Sequence, residues 1–481
     1  MIQTFAQLIT DSGQSLPPIP KRSAVAHNAA TNGPRLKGLR GVSARGPNVL
    51  ATEELETIRT RTRHVVRNDP FAVSAVDRLQ SNIVGSGIKA ISKFPEIAEM
   101  WEAWAKRSDF DGRSDWYGQQ SLAVRTMVES GEVLIRRRTV RRRGLRVPLQ
   151  IEILEPDHLP TSFAKFSGVL DGNEVFNGVE VDPNGRRVAY HLYGQHPDEI
   201  RGAQDIVRIP AGQMLHMFKP LRPKQLRGWP WLTCVIAALD ELSRYRDAEL
   251  ARKSIVASLT GFITQLNPGT SFFPQNSASE TEIAAGTFVD LAPGEDVKLV
   301  EAKDYAGGYV EFVRENLRAV AAGAGLTYEQ LTGDLTDVNY SSIRAGLLEF
   351  RRKCEQIQYE VVCFQFCQPV FEWFLDAAVI SGALKLRKYD EKFDEYADVR
   401  WVTPGWPWVD PKSDIEATVL AIDRGLTSRK AAVAETGETV ERIDQENAED
   451  KAREKAMGLE YKEKPAAPAP AAAAGKVKQK K

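Results

Sequence analysis

Two aspartates in a short polar loop, Asp334 and Asp337, are the strongest candidates in the sequence for acid-base or metal chemistry. Paired carboxylates can share a proton or hold a divalent cation, as hydrolases and nucleases require. Their neighbours in residues 331–340 are rich in Thr, Asp and Asn, which commonly bond to nearby backbone amides in turns and helix caps. The setting therefore favours a structural loop over a catalytic pair.

Other signatures of catalysis or cofactor binding are missing from the sequence. It contains no G-x-S-x-G, no Walker A loop, no H-E-x-x-H and no C-x-x-C. The histidines of the middle region share no metal-ligand spacing, and no cysteine lies near them; they are His158, His191, His196 and His216. We predict no catalytic residue, no metal site and no cofactor, and we expect that the protein is not an enzyme.

Seven arginines between positions 136 and 146 surround a Gly144 turn and form the densest charge cluster of the chain. Such a cluster is typical of a phosphate-binding patch. It is equally typical of a solvated hairpin tip, or of a subunit contact that faces acidic residues. The sequence leaves these alternatives open.

Composition indicates a folded, soluble protein of several domains. The chain has 481 residues, and its 64 Lys and Arg balance its 64 Asp and Glu, so overall charge does not favour a general grip on DNA. The four cysteines lie in apolar helical contexts, which favours a reducing compartment. No apolar run approaches the roughly 20 residues of a membrane span, so we expect no membrane association.

The polar loop lies between two helical patterns. The second is the clearer, with apolar residues at alternating spacings of four and three, which places them on one face; they are Ile343, Leu347, Phe350, Cys354, Ile357, Val361 and Phe364. We expect this helix to end or kink near Gln368, because Pro369 lacks an amide proton. The first helix carries Tyr309 to Val320 and stops at Gly323 and Gly325.

The remaining patterns divide the chain further. A helix is predicted from Asp69 as N-cap to Gly85 as terminator. Residues 132–218 form a mixed β region, with strands at 175–181 and 187–193 joined by a turn at 182–185. A basic arm precedes all of these segments and a Pro/Ala-rich tail follows them, and neither shows periodicity.

Several segments together resemble the portal proteins of tailed bacteriophages, specifically those of the phage lambda type. In chain order the matching segments cover roughly residues 50–430; they are RNDPFAVSAVDRLQSNIVGSGI (67–88), SGE (130–132), LQIEILEPDHL (149–159), GVEVDPNGRRVAYHLY (178–193), RPKQLRGWP (222–230), DLAPGEDV (290–297), NYSSIRAGLLEFRR (339–352) and PGWPWVDP (404–411). The arginine cluster and both tails are not part of this resemblance.

The resemblance implies an α+β fold, with a mixed α/β wing, a two-helix stem, a small β-containing clip, a long kinked helix and a helical crown. Carried onto this chain, the expected parts are a flexible basic arm (1–50), the wing (51–239), the first stem helix (240–261), the clip (262–307), the second stem helix (308–324), the tunnel loop and long kinked helix (325–374), the wing end and crown (375–460) and a disordered tail (461–481).

The resemblance also implies a function. About twelve copies would form a ring at one capsid vertex, around a channel for packaging and ejection of double-stranded DNA. Expected partners are the terminase large subunit, the major capsid protein and a head-completion connector protein, and the ring would assemble in the host cytoplasm before joining the virion. The residues expected to line the channel are Thr332, Asp334, Thr336, Asp337, Asn339, Tyr340 and Arg344.

Two other hypotheses stay open at the level of sequence. A phage head-maturation or DNA-processing enzyme would use Asp334, and its activity would disappear in Asp334→Ala. A capsid-associated adaptor of lower symmetry would have no central channel, so images of the purified protein would separate it from a portal.

Overall fold

The computed structural model describes most of the chain between residues 44 and 458. The described ranges are 44–161, 172–199, 205–258, 262–265, 295–298, 306–336, 340–406, 411–435 and 440–458. The predicted N-terminal arm up to residue 43, most of the predicted clip and the predicted tail lie outside these ranges. All elements below belong to one compact unit, Pro47–Lys481; of the other unit, Met1–Gly46, only residues 44–46 are described.

Helices and strands alternate in the first half of this unit, and helices dominate the second. The helices are α1 (Pro47–Asn68), α2 (Pro70–Ile83), α3 (Pro95–Ala105), α4 (Trp116–Ser130), α5 (Ile236–Ser258), α6 (Ala306–Ala324), α7 (Tyr328–Thr332), α8 (Tyr340–Ile357), α9 (Gln368–Ile380), α10 (Phe393–Ala397), α11 (Pro411–Asp423), α12 (Arg429–Glu435) and α13 (Val440–Met457). The strands are β1 (Lys89–Ser92), β2 (Glu132–Thr139), β3 (Leu149–Leu154), β4 (Glu174–Phe176), β5 (Val179–Val181), β6 (Arg187–Tyr193), β7 (Ile206–Pro210), β8 (Met214–Phe218), β9 (Phe262–Gln265), β10 (Glu295–Lys298) and β11 (Val399–Val402).

The strands form small antiparallel sheets. One has the order β3-β2-β8, and another has the order β4-β5-β6-β7. Two further pairs are β1 with β11 and β9 with β10. Every one of these strand pairs is antiparallel, and this combination of helices with antiparallel sheets confirms the predicted α+β class.

Helix α2 shows how local sequence sets an element. The Asp69 carboxylate accepts hydrogen bonds from the amides of Phe71 and Ala72, each at 2.9 Å, and Pro70 occupies the first turn. Gly85 has φ +50° just beyond the last turn, a conformation that glycine adopts at low cost. The predicted start and stop of this helix are therefore confirmed.

An aromatic cluster packs α3 and α4 against residues 366–374. Trp101 of α3 is buried, and its ring centroid lies 5.0 Å from that of Phe371 and 5.1 Å from that of Phe374, both on α9. Trp116, at the start of α4, is 4.9 Å from Phe366. Residues 366–374 thus supply part of the core against which α3 and α4 pack.

The long helix departs from the predicted pattern before Pro369. A π-helix, Gln358–Cys367, connects α8 to α9, and Pro369 lies in the first turn of α9. The prediction that Phe364 lies on the buried face is wrong, since this side chain is 75% exposed. In a π-helix the hydrogen bonds run from i to i+5, so the buried face follows spacings of five, from Val361 to Phe366 and from Val362 to Cys367.

The strand predicted at 175–181 is in fact a hairpin. Phe176 pairs with Val179, so Asn177 and Gly178 form a two-residue turn between β4 and β5. Both have positive φ, +50° and +79°, which is the geometry that Asn-Gly favours in tight hairpins. The predicted turn after β5 is confirmed, because the Asp182 carboxylate accepts from the amides of Asn184 and Arg186.

Candidate nucleic-acid interface

The predicted channel segment begins where α6 ends. Gly325 has φ +75°, and the amides of Gly325 and Leu326 donate to the carbonyls of Ala322 and Ala321, at 3.1 and 2.9 Å. This pattern is a Schellman motif, which satisfies the last carbonyls of a helix. The chain therefore leaves α6 in a fixed direction.

A one-turn helix, α7, follows immediately and is capped at both ends. Thr327 and Gln330 form a capping box, in which each side chain accepts a hydrogen bond from the other residue's amide. At the other end Gly333 has φ +74°, and its amide donates to the carbonyl of Glu329 at 2.8 Å. Residues 328–332 are thus held as a rigid turn.

Contacts with the core anchor this turn. Leu331 is buried, and its carbonyl accepts a hydrogen bond from the Ser74 hydroxyl of α2 at 2.8 Å. From the other side, the Lys353 ammonium of α8 donates to the carbonyl of Gly325 at 3.2 Å. The segment that leaves α7 therefore starts from a point fixed by α2, α6 and α8.

Asp334 organises the residues just beyond the anchor. Its carboxylate accepts from the Thr336 hydroxyl, from the Thr336 amide at 3.1 Å and from the Tyr328 hydroxyl at 3.2 Å. The Arg314 guanidinium of α6 lies 3.8 Å away. The bonds from Thr336, with those from Tyr328 and the charge of Arg314, lower the pKa of Asp334 from its ordinary value. Donors and a cation of the same protomer thus partly compensate its negative charge.

The structure brings together only part of the predicted channel set. Thr332 donates to the carbonyl of Tyr328 at 2.8 Å and accepts from the amide of Asp334 at 3.1 Å, so it belongs to the same turn. The backbones of Tyr340 and Arg344 lie in the first turns of α8, and their side chains are outside the described residues. Asp337 and Asn339 also lie outside the described residues.

Helices α5 and α6 form a pair that is buried at one end and exposed at the other. Near the core, Leu239 and Leu242 of α5 and Leu317 and Val320 of α6 are buried. Farther along, the Tyr245 ring lies 5.7 Å from that of Tyr309 and 4.9 Å from that of Phe312. At this end Leu250 is 69% and Val310 58% exposed. Among the described residues, the pair therefore leaves these apolar side chains exposed at this end.

A buried ionic network was not predicted from the sequence. The Glu132 carboxylate, at the start of β2, accepts from Arg59 of α1 at 2.8 Å and from both Nε and Nη2 of Arg227, at 2.8 and 2.5 Å. It also accepts from the amide of Gly228 at 2.6 Å and contacts Nε2 of His216 at 2.8 Å. The network joins a helix, two strands and a loop through one fully buried carboxylate.

The electrostatics of this network follow from burial and close charges. Burial alone would raise the pKa of Glu132, but Arg227, the hydrogen bond to His216 and Arg59 hold it well below its ordinary value. Burial lowers the pKa of His216 to about 4, although Glu132 acts in the opposite direction. His216 is therefore neutral at pH 7, with the proton on Nε2, and its buried Nδ1 has no partner among the described residues.

Two of the matching segments meet in this network. A Cβ on Gly131 would lie 2.4 Å from the carbonyl carbon of Trp229, and a Cβ on Gly228 would lie 2.2 Å from the carbonyl oxygen of Gly131. The SGE and RGWP segments thus pack backbone against backbone beside the Glu132–Arg227 pair. The sequence signal that was missed is one acid and one base, each next to a glycine, in segments far apart in the chain.

One group of possible metal ligands occurs among the described residues. Atoms of Glu155, Asp157 and His196 lie within 4.8 Å of one another. The guanidinium of Arg63 contacts both carboxylates, at 2.8 Å from Glu155 and 2.6 Å from Asp157. Because a cation of the protein already neutralises these carboxylates, the arrangement is that of an ion-pair network.

The sequence of this chain matches a known protein family over most of its length. A family model described as phage portal protein, lambda family, matches residues 32–358. The chain belongs to the lambda family of phage portal proteins. Its match ends at the first residue of the π-helix.

Relatives of this portal protein span most of its length. A probable portal protein of Halomonas phage phiHAP-1 is 28% identical over 434 residues, which cover 84% of this chain and 82% of the relative. Portal protein B of Escherichia phage lambda is 21% identical over 462 residues, which cover 83% and 84%. A chain from the neck of an empty GTA particle has a TM-score of 0.47 at 14% identity, over 78% of this chain and 93% of that one.

Family membership confirms several predictions. The protein is a structural component that forms the portal at one vertex of a phage capsid, and it is not an enzyme. Its place is therefore the virion. Within the described residues, no helix has the length and apolarity needed to cross a bilayer.

Proposed function

We propose that about twelve copies of this portal protein close into a ring whose channel carries double-stranded DNA during packaging and ejection. The ring assembles in the host cytoplasm, and it binds the terminase large subunit, the major capsid protein and a head-completion connector protein. This proposal adds the subunit number, the partners and the path of the DNA to the portal role given by the family.

The exposed apolar surface of α5 and α6 is the observation that carries the proposal. Burying a side chain such as Leu250 or Val310 contributes roughly 1.5–3 kcal/mol, and large apolar patches on a soluble protein mark contact surfaces. A contact between different surfaces of identical chains repeats around an axis, and it closes into a ring when the repeated rotation completes a full turn without a rise along the axis. The α5–α6 pair therefore acts as a stem packed against its neighbours, with residues 262–307 as the clip at its far end.

Residues 330–341 form the tunnel loop in this proposal. The described part presents polar side chains beside the exposed Leu335, and Asp334 is compensated by Thr336, Tyr328 and Arg314. A ring of unpaired cations would bind DNA phosphates tightly and slow translocation. A collar of Thr332, Asp334 and Thr336, continued by Asp337, Asn339, Tyr340 and Arg344, lets the duplex pass with little net attraction.

The other predicted parts complete the proposal. The wing comprises residues 51–239, and the stem helices lie at 240–261 and 308–324. The long kinked helix follows the tunnel loop to residue 374. Residues 375–460 supply the wing end and the crown.

The ring is tested with the purified protein by sedimentation velocity and negative-stain imaging. Wild-type protein should form rings with a central hole. Leu250→Glu and Val310→Glu should yield folded monomers or small oligomers, because each places a charge in the proposed contact. Leu426→Glu is a matched control, since Leu426 is 83% exposed and lies outside the α5–α6 pair. Wild-type monomers, or rings unaffected by both stem variants, would contradict the proposal.

The channel is tested by DNA packaging into proheads. Replacement of Asp334 and Asp337 by Lys should reduce packaging while rings remain intact, whereas Asp334→Asn keeps an acceptor for Tyr328 and should package normally. The control replaces two exposed aspartates outside the segment, Asp390 and Asp394, by Lys. Equal packaging by the Lys variants and the wild type would refute the assignment of the tunnel loop.

A further inference from the structure

The arginine-rich hairpin tip forms one wall of a cleft of about 400 Å³ that the proposed channel does not use. Arg142 and Arg143 come from the tip between β2 and β3, and Lys106 and Arg107 come from the end of α3 on the opposite side. The cations that the sequence placed in one cluster are thus joined by two more from a different element. Together they converge on a concave site.

The hairpin tip is held in position across the cleft. The Arg107 guanidinium donates to the carbonyl of Gly144 at 2.5 Å, and the amide of Leu145 donates to the carbonyl of Arg142 at 3.1 Å. Gly144 has φ +83°, and a Cβ at this position would lie 2.5 Å from Nη1 of Arg107. Only glycine therefore allows both the turn and the close approach of Arg107.

The floor of the cleft is polar and already satisfied. The Gln150 amide donates to the carbonyls of Arg107 and Asp109, at 3.1 and 2.8 Å. The Asp109 carboxylate accepts from the amides of Arg113 and Ser114, at 2.8 and 3.0 Å. Asp109 is the one carboxylate that lines the cleft, so four cations there outnumber a single buried acid.

The four cations have no carboxylate partner among the residues that the structure describes. Lys106, Arg107, Arg142 and Arg143 make no ion pair with any described residue, whereas Arg138 on the same hairpin pairs with Glu152 at 2.6 Å. Cations after the last turn of α3 are favoured by the helix dipole, which accounts for Lys106 and Arg107. It does not account for Arg142 and Arg143 facing them, because like charges repel.

We propose that this cleft binds an acidic segment of another protein. Guanidinium groups match the planar carboxylates of Glu and Asp with paired hydrogen bonds, and the volume lies within the range of pockets that enclose small ligands or side chains. An intact DNA duplex is too wide to enter a cleft of this size, so DNA could touch only the rim. The ligand class is therefore a carboxylate-rich, extended peptide.

The test measures fluorescence anisotropy of a labelled peptide of alternating Glu and Ser, added to the full-length protein at low salt. The same peptide with Gln for Glu and a short duplex DNA are the comparison probes. The acidic peptide should bind, and Arg142→Glu with Arg143→Glu should weaken binding about tenfold or more. Both arginines are exposed on a hairpin tip, so the variant should keep the wild-type melting temperature.

Two further variants distinguish binding in this cleft from a nonspecific effect of the protein's net charge. Arg61→Glu with Arg67→Glu makes the same change of net charge on exposed positions of α1 and should leave binding within about twofold. Gly144→Ala changes no charge but displaces the tip from Arg107, so it should also weaken binding.

Three results would overturn the proposal. One is that the wild type fails to bind the acidic peptide, and another is that both double variants weaken it equally. The third is that the duplex binds with the predicted dependence on Arg142 and Arg143 while the peptide does not, which would make the patch a nucleic-acid contact. None of these results depends on whether the protein forms rings or packages DNA.

Discussion

Replacing Glu132 by Gln should be among the most damaging single changes to this protein that preserve side-chain shape. One carboxylate oxygen accepts from Arg59 and twice from Arg227, and the other accepts from Gly228 and faces His216. Glutamine keeps one acceptor but turns the other into an NH₂ donor, which must then face other donors. No arrangement of the amide satisfies both sides.

The magnitude follows from the charges left behind. Arg59 and Arg227 are fully buried, and the nearest remaining acid is Asp157, 3.7 Å from Arg59. Removing one partner of a buried ion pair costs roughly 3–5 kcal/mol because the other charge stays desolvated. For the unit Pro47–Lys481, whose entropy of unfolding scales with its length, that loss lowers the melting temperature by roughly 3–5 °C. Since the folded-state pKa of Glu132 is depressed, its contribution is complete above the unfolded-state pKa, and an assay at neutral pH measures all of it.

The assay is thermal unfolding followed by tryptophan fluorescence, at one fixed protein concentration because assembly also stabilises the folded state. Glu152→Gln is the matched control: it removes the partner of Arg138, a partly exposed pair that should contribute no more than about 1 kcal/mol. If Glu132→Gln melted as the control does, the buried network would not hold these elements together, and the reasoning would be refuted.

Three other outcomes follow from the structure. The free energy of unfolding should fall as the pH drops from about 6.5 towards 4, by up to roughly 1.4 kcal/mol per pH unit, because burial lowers the pKa of His216 to about 4 and only the unfolded state then takes up the proton. Denaturant titrations at successive pH values should show this slope in the wild type, and an equal slope in His216→Gln would disprove the cause. Gly131→Ala should cost at least about 2 kcal/mol, since its φ is +92° and the new Cβ would lie 2.4 Å from the Trp229 carbonyl carbon; denaturant unfolding at wild-type stability would argue against it. A thiol reagent should label exposed Cys234 in the native protein but not Cys354, whose pKa burial raises to about 12; mass spectrometry of the peptides would expose the error if Cys354 reacted as fast.

Local signals predicted the elements that local chemistry decides. The cap at Asp69, the proline after it and the terminator at Gly85 set the bounds of α2 without any help from distant residues. The Asn177–Gly178 turn was also visible in the sequence, as the pair most typical of tight hairpins. It was missed because Val175, Val179 and Val181 fall on the same alternate positions on both sides of the turn.

Tertiary contacts decided the rest. A spacing of three and four predicted Phe364 in the core, but the switch to π geometry is selected by packing around Phe366 and Phe371 and has no simple local signature. The partners of Glu132 lie far away along the chain, and no periodicity connects them. In the proposed channel segment, the capped turn after α6 has clear sequence signals in Thr327, Gln330 and Gly333.

The π-helix between α8 and α9 couples any change in its length to a rotation of one helix relative to the other. Converting one residue at its boundary from i+5 to i+4 bonding would rotate the attached helix by about 15–20° and lengthen the rod by about 0.3 Å, the differences between the two geometries per residue. Phe371 and Phe374 fix α9 in the core, so the turn would be taken up by α8 and by the loop that precedes it. Each such conversion would therefore turn α8 by a small, discrete step while α9 keeps its contacts with Trp101.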